Sequence, residues 1–166
     1  MVSPELIRRY PFFAGLKHAN ITALADAASE QVEDASHVFF RENETLQEFF
    51  LLLEGAVAIV IELPDHNEVQ PVSDQLLGAF HTQDVVVSTV GPGDVFGWSG
   101  LVPPHTTSAK AKALTPCRVL AFDCKTLLDD FNEDCEFGYL MMQRAARVIR
   151  NRLHDMHIQS LASAAT

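Results

Sequence analysis

The sequence predicts a mainly β domain with flanking α-helices, an antiparallel β-roll preceded by short helices and closed by one long C-terminal helix. Three observations carry this. Strand-type runs recur between turn signals at Val38–Phe40, Phe49–Leu53, Ala56–Leu63, Thr82–Val90 and Arg118–Phe122, the pattern of a strand-rich domain. One segment, GPGDVFGWSGLVPPHTTSAKAKA from Gly91 to Ala113, compresses turn, short strand, helical turn and strand into a single unit. After Asp123 the strand pattern stops and apolar residues recur at intervals of three and four.

Chain-wide properties bound the reading. At 166 residues the chain suits one domain able to bury a core. It divides into an N-terminal helical segment over 1–31, the roll over 32–122 with an insertion at 64–80, and C-terminal helices over 123–160. A formal net charge of −10 argues against a nucleic-acid surface, which needs Lys and Arg to neutralise phosphates. No apolar run approaches a membrane span, and Met1–Tyr10 lacks the apolar core of a signal peptide. Cys117, Cys124 and Cys135 are an odd set without metal-ligand spacing, read as reduced thiols in a cytoplasmic protein.

The elements follow in order. Pro4–Arg9 suits a short helix, with proline placed early where its missing N–H costs nothing. Tyr10 to Leu16 supplies aromatics to plug one end of the core. Asn20 is the expected N-cap of a helix from Ile21 to about Ser29, with Ile21, Leu24, Ala25 and Ala28 on one face. Val32 and Val38–Phe40 are strands, and Asn43-Glu44 is a turn that uses asparagine's tolerance of left-handed geometry. Phe49–Leu53 and Ala56–Leu63, joined by Glu54-Gly55, read as a hairpin of two buried strands. Pro64–Phe80 is a long insertion in which Ser73 is able to cap a helix from Asp74 to Phe80, and such loops serve as lids, partner contacts or linkers.

Within Gly91–Ala113, Gly-Pro-Gly-Asp is a turn and Val95-Phe96 a very short strand. Gly97–Leu101 forms one helical turn stopped by Pro103 and Pro104, and Thr106–Ala113 alternates as a strand. Lys110 and Lys112 are read as solvated. This arrangement gathers backbone N–H groups in one concavity, a common cradle for an anion. Beyond it, Asp123 caps a helix from Cys124 to Phe131, and Asn132 caps another running to about Ser160, with a frayed tail after it. Tyr139, Met142, Ala146, Ile149, Leu153 and Met156 form a heptad-like seam on that last helix. Phe137, Met141, Ala145 and Val148 form a second stripe. The simplest geometry packs one stripe on the roll and sets the other against a partner helix, giving a homodimer. The alternative is one broad amphipathic helix lying on its own roll. Arg144, Arg147, Arg150 and Arg152 occupy several faces and make no single stripe.

The Gly91–Ala113 segment resembles the phosphate-binding cassette of the cyclic nucleotide-binding domain family. Gly91, Gly93, Asp94, Phe96 and Gly97 match its G-x-G-D-x-F-G run, Leu52, Gly55 and Val57 match an L-x-x-G-x-V motif, and Tyr10–Leu16 is similar to its P-F-F-x-G-L segment. The resemblance implies a β-roll, a regulatory role and a long helix joining two subunits. It also implies a ligand site at Phe96, Gly97, Trp98, Ser99, Gly100, Thr106, Thr107 and Ser108. Two positions depart from the pattern: Trp98 stands where the family's ribose-binding glutamate falls, and Thr107 where its phosphate-pairing arginine falls. Neutral donors lack the bidentate, charge-assisted contact of arginine, so ordinary cyclic AMP or cyclic GMP binding is not expected. The ligand is then a cyclic nucleotide held in some other way or another small anion. Trp98 either stacks on a ligand or fills the pocket, and the residues favour neither.

Two other functional classes compete with a sensor. One is a dimeric interaction module that binds a protein partner and no nucleotide. The other is a cupin-like metal enzyme, since cupins share this kind of roll. The chain's seven histidines include no H-x-H pair on a strand, and no nucleophile elbow or P-loop is present. A non-enzyme with no certain cofactor, no metal, no membrane contact and no nucleic-acid partner is expected, and the chain ends at Thr166 without a helix-turn-helix pattern.

Overall fold

The computed structural model describes residues 1–64 and 82–164. Two four-stranded antiparallel sheets lie face to face, with the helices on the outer side of one of them. The strands are β1 (Ala28–Glu33), β2 (Val38–Phe40), β3 (Glu48–Glu54), β4 (Val57–Pro64), β5 (Thr82–Val90), β6 (Val95–Phe96), β7 (Lys110–Ala113) and β8 (Cys117–Asp123). One sheet runs β1-β8-β3-β6 and the other β2-β7-β4-β5. The helices are α1 (Pro4–Arg8), α2 (His18–Asp26), α3 (Cys124–Glu133) and α4 (Cys135–Ala164), with single 3₁₀ turns at Pro11–Phe13 and Trp98–Leu101. No described helix is long and apolar enough to cross a membrane.

The unbroken apolar run of β3 has a physical cause. Successive side chains on a strand point to opposite faces, and here both faces are covered. Phe49, Leu51 and Leu53 face the helices with Leu120 and Phe122 of β8. Phe50 and Leu52 face the other sheet with Val119 and Ala121. Phe49 stacks on Phe122 at 4.7 Å on the helix side, and Phe50 on Phe96 at 5.0 Å between the sheets. Phe13, 1% exposed, closes the helix-side core against Phe122, as the aromatic plug requires.

Several local expectations are corrected. β3 and β4 are not a hairpin: β3 pairs with β6 and β8, while β4 pairs with β5 and β7. The chain crosses from sheet to sheet at Gly55, whose φ is +99°. The real hairpin is β4–β5, in register from Val57↔Val90 to Pro64↔Thr82. It brackets the insertion, and the expected Asp74–Phe80 helix lies outside the described residues. Asn20 is not a cap. Helix α2 begins earlier, and Asn20, buried, donates from Nδ2 to Asp134 Oδ2 at 3.0 Å. Ala28 has left the helix and opens β1, paired with Phe122. The left-handed residue of the Asn43-Glu44 turn is Asn43, at φ +63°.

The helix starts divide likewise. Asp123 caps α3, accepting from the Thr126 amide at 2.7 Å. Asp134, not Asn132, starts α4: its Oδ1 accepts from the Phe137 amide at 3.1 Å, because the chain turns only after α3 has ended at Glu133. Helix α4 then runs 30 residues to Ala164, past the expected end, a length of about 45 Å. Hydrogen bonds from Thr126, hydroxyl first and amide second, hold the Asp123 carboxyl below its ordinary value of 3.8. Its contribution is therefore present above that pH and lost as pH falls through the lower folded value. Asp123→Ala is expected to cost about 1 kcal/mol at neutral pH, and Asp123→Asn much less. Urea unfolding of both variants at pH 7 and pH 3 checks this: the deficit of the alanine variant shrinks at the lower pH.

Candidate functional site

The site is built on the Gly91–Ala113 segment, and its first task is to hold a bend. The Gly93 amide donates to Leu52 O at 2.8 Å, the Leu52 amide donates to Asp94 O at 3.0 Å, and Asp94 Oδ2 accepts from the Gly91 amide at 3.1 Å. The turn is thereby stitched to β3. Phe96 then drops between the sheets, fully buried, and the chain reverses at Gly97, with φ +77°. A Cβ at Gly97 would stand 3.1 Å from the Phe50 ring and 3.2 Å from Leu46. Only glycine meets both the dihedral and the close approach. The 3₁₀ turn Trp98–Leu101 follows at once.

The strand expected over Thr106–Ala113 is shorter. Thr106 makes one isolated bridge to Thr45, and the regular strand begins at Lys110. Thr107 explains the interruption. It is buried, its Oγ1 donates to the Arg41 carbonyl and accepts from the Glu44 amide, and its own amide donates to Glu44 O. Its hydroxyl is committed to the Asn43 turn. Lys110 is not simply solvated: 7% exposed, it donates to Glu62 at 2.7 Å and Asp84 at 2.8 Å across β4 and β5. Those two carboxylates raise its pKa above the ordinary lysine value, Asp84 foremost.

A cavity of about 230 Å³ opens between this segment, the second sheet and helix α4. Gly97, Trp98, Ser99, Thr107 and Ser108 line one side, and Ile59, Ile61 and Val87 line another. Ile149, Arg152, Leu153 and Met156 of α4 close it. Trp98 is a half-buried wall and leaves the cavity open. Three expected residues do not line it. Phe96 is packed beneath, Thr106 is exposed, and Gly100 faces Cys124, its carbonyl bonded to His105 Nδ1 at 2.9 Å.

The two stripes of α4 separate only in part, since Met142 of the seam also packs against the helix-side core. Phe137, Met141 and Ala145 are buried in the helix-side core, and Val148 packs beside them. Of the seam, Tyr139 is 65%, Leu153 52% and Met156 41% exposed. Ala146 is also exposed, while Met142 and Ile149 are half-buried. The C-terminal half of the seam thus faces the mouth of the cavity.

Sequence reasoning missed Arg152. It had been one of four arginines without a common face. Its Nη2 donates to the Val95 carbonyl at 2.9 Å, and its side chain lines the cavity. Burial holds its pKa below the ordinary guanidinium value, with Asp94 acting in the other direction. Arg144 is spent differently, donating to the carbonyls of Phe12 and Ala14 and tying α4 to the N-terminal segment. No signal in the local sequence separates these two arginines.

Features of catalysis are sparse. Among the described residues no three His, Cys, Asp or Glu side chains gather as metal ligands. The Cys124 thiol is pushed up to about 12 by burial, with Asp123 and Glu48 adding to the rise, and so is a poor nucleophile.

Comparison with known proteins bears on this geometry. A family model described as the cyclic nucleotide-binding domain matches residues 34–134. A CRP-like cAMP-activated global transcriptional regulator of Mycobacterium tuberculosis (strain CDC 1551 / Oshkosh) is 23% identical over 155 residues, 92% of this chain and 62% of that protein. The chain therefore spans less than two thirds of that relative. A crystal structure from Geobacter metallireducens GS-15, named for cyclic nucleotide binding, superposes with a TM-score of 0.75 at 28% identity, over 93% of this chain and 100% of that one. The Thermus thermophilus Catabolite Activator Protein does so at 0.64 and 19% identity, over 92% and 63%. The expectation of no nucleic-acid partner, drawn from the net charge and the lack of a helix-turn-helix pattern, is not supported by these comparisons. The matched span runs from before β2 through α3, taking in the whole cassette, and on that match the chain belongs to the cyclic nucleotide-binding domain family.

Proposed function

We propose that this chain is a regulatory ligand-sensing domain that binds a small molecule between its cassette and its last helix, and that it works as a homodimer. One observation carries the reading: the cavity is walled on one side by the cassette and on the other by α4. A ligand there touches the fixed roll and the helix at once, so its affinity depends on where the helix lies. That dependence is what coupling requires, since a ligand shifts a conformational equilibrium only by its differential affinity for the two states.

The ligand is not an ordinary cyclic nucleotide. Trp98 offers no carboxylate to a ribose hydroxyl, and the Thr107 hydroxyl is engaged by Arg41 and Glu44. A cyclic phosphate seated on the cassette, where Thr107 stands in place of an arginine, lacks the charge-assisted contact at that position and loses about 1.5–3 kcal/mol, or roughly one to two orders of magnitude in affinity. The partner we propose is a second copy of the chain, meeting along the exposed seam of α4. Leu161, 72% exposed, extends the apolar surface beyond the cavity.

Calorimetric titration with cyclic AMP and cyclic GMP, alongside Trp98 emission, is expected to give a Kd above roughly 10 μM, at least an order of magnitude weaker than micromolar binding. A micromolar Kd with an emission change would restore ordinary nucleotide sensing. Light scattering at micromolar protein is expected to give twice the chain mass, and a single-chain mass would remove the seam from the proposal.

A further inference from the structure

We infer that the cavity takes a small monoanion with an apolar body, a medium-chain or aromatic carboxylate, whose charge is held by Arg152. This rests on the sensor reading and assigns the ligand class for the same cavity.

The charge is the first part of the argument. Arg152 is the one charged side chain lining the cavity among the described residues. Its guanidinium carries five N–H donors, and the structure engages Nη2 with Val95 O. Among the described residues no carboxylate oxygen lies within 4.0 Å of it, whereas Lys110, on the same sheet, has two. Nor does any of its nitrogens count among the buried polar atoms without a partner, a condition met among the described residues only by Arg118 Nε. The remaining donors therefore keep access to solvent or to the cavity. A guanidinium presented in this way is suited to a planar, bidentate acceptor, and carboxylate is the simplest.

The walls set the rest of the molecule. Ile59, Ile61 and Val87 of the second sheet, Ile149, Leu153 and Met156 of α4, and Trp98 line the space. These side chains reward an apolar body by about 25 cal/mol per Å² buried and offer a sugar or base few partners. The neutral polar groups at the rim, Ser88, Ser99 and Ser108, carry no charge. One guanidinium balances one negative charge. A phosphomonoester dianion would leave half of its charge desolvated against isoleucine and leucine, at a cost that burial does not return. Because Arg152 sits on α4 while its carbonyl partner Val95 sits on β6, the anion would bridge helix and roll.

Octanoate and octanol, equal in body and different in charge, test the inference with Trp98 emission as readout. Wild-type protein is expected to bind octanoate at least tenfold more tightly than octanol. Arg152→Leu is expected to lose that preference while its octanol affinity stays within twofold, and Arg152→Lys to keep part of it. Far-UV circular dichroism and a melting curve establish that each variant is folded, and the wild-type comparison stands without them. Equal affinity of the two probes, or an octanoate preference that survives Arg152→Leu, would overturn the anion assignment and leave the sensor reading intact. If neither probe binds and neither cyclic nucleotide does, both the assignment and the sensor reading fail, and the interaction-module reading takes their place.

Discussion

Gly55→Ala is expected to lower the unfolding free energy by on the order of 3–5 kcal/mol. Two costs combine. The residue sits at φ +99°, where a side chain strains the backbone by about 1–3 kcal/mol. The new Cβ would also stand 2.4 Å from the Pro116 carbonyl oxygen, 2.8 Å from Cys117 Sγ and 3.0 Å from Thr115 Oγ1. The nearest of these is backbone and cannot rotate away, so overpacking adds roughly 1–3 kcal/mol. The surroundings are also tied down: the Ala56 amide donates to Thr115 Oγ1 at 3.0 Å and the Leu114 amide to Ala56 O at 2.8 Å. Denaturation in urea should show a lower midpoint at unchanged slope. A loss below about 1 kcal/mol would mean that the Thr115–Cys117 connection yields, and the crossover would not depend on glycine.

Phe96→Ala is the second large effect, and it links stability to the site. Phe96 is fully buried, stacked on Phe50 at 5.0 Å and 19°, with its edge toward Phe39 at 5.1 Å and 76°. Removing such a ring costs about 3–5 kcal/mol, a fall in melting temperature on the order of 10 °C for a chain of this size. It immediately precedes the Gly97 reversal, so the cavity left behind lies under the floor that aims Trp98 and Ser99. The variant is therefore expected to lose ligand-dependent Trp98 emission even at temperatures where it remains folded. Phe12→Ala, at a half-buried ring outside the cavity, is the matched control, expected to melt lower while retaining that response. Should Phe96→Ala melt within about 3 °C of wild type, a shift worth roughly 1 kcal/mol, the ring would not be a keystone of the cassette.

Helix α4 shows how much was legible. Its two stripes were readable from spacing, because helical periodicity places residues on faces whatever they meet. The stripe of Phe137, Met141 and Ala145 indeed enters the core. Which neighbour the other stripe meets was not readable. Ile149, Leu153 and Met156 have the pattern of a partner-facing seam, yet they border the cavity, because the segments opposite them lie far away along the chain. The same limit hid Arg152, whose carbonyl partner is 57 residues distant.

The sequence by itself determined the fold class, most strand positions, the Asp123 cap and the Gly-Pro-Gly-Asp turn before Val95. Each of these is written in local chemistry: alternation, a capping carboxylate, a residue without Cβ. Only the tertiary structure decided that β3 and β4 belong to different sheets, that the Thr107 hydroxyl serves the Arg41–Glu44 turn 63 to 66 residues before it, that Lys110 is paired, and that one arginine of four faces the cavity. Local pattern sets the direction in which a side chain points. What lies there is set by the packing of distant segments, through burial and hydrogen bonding that no short window contains.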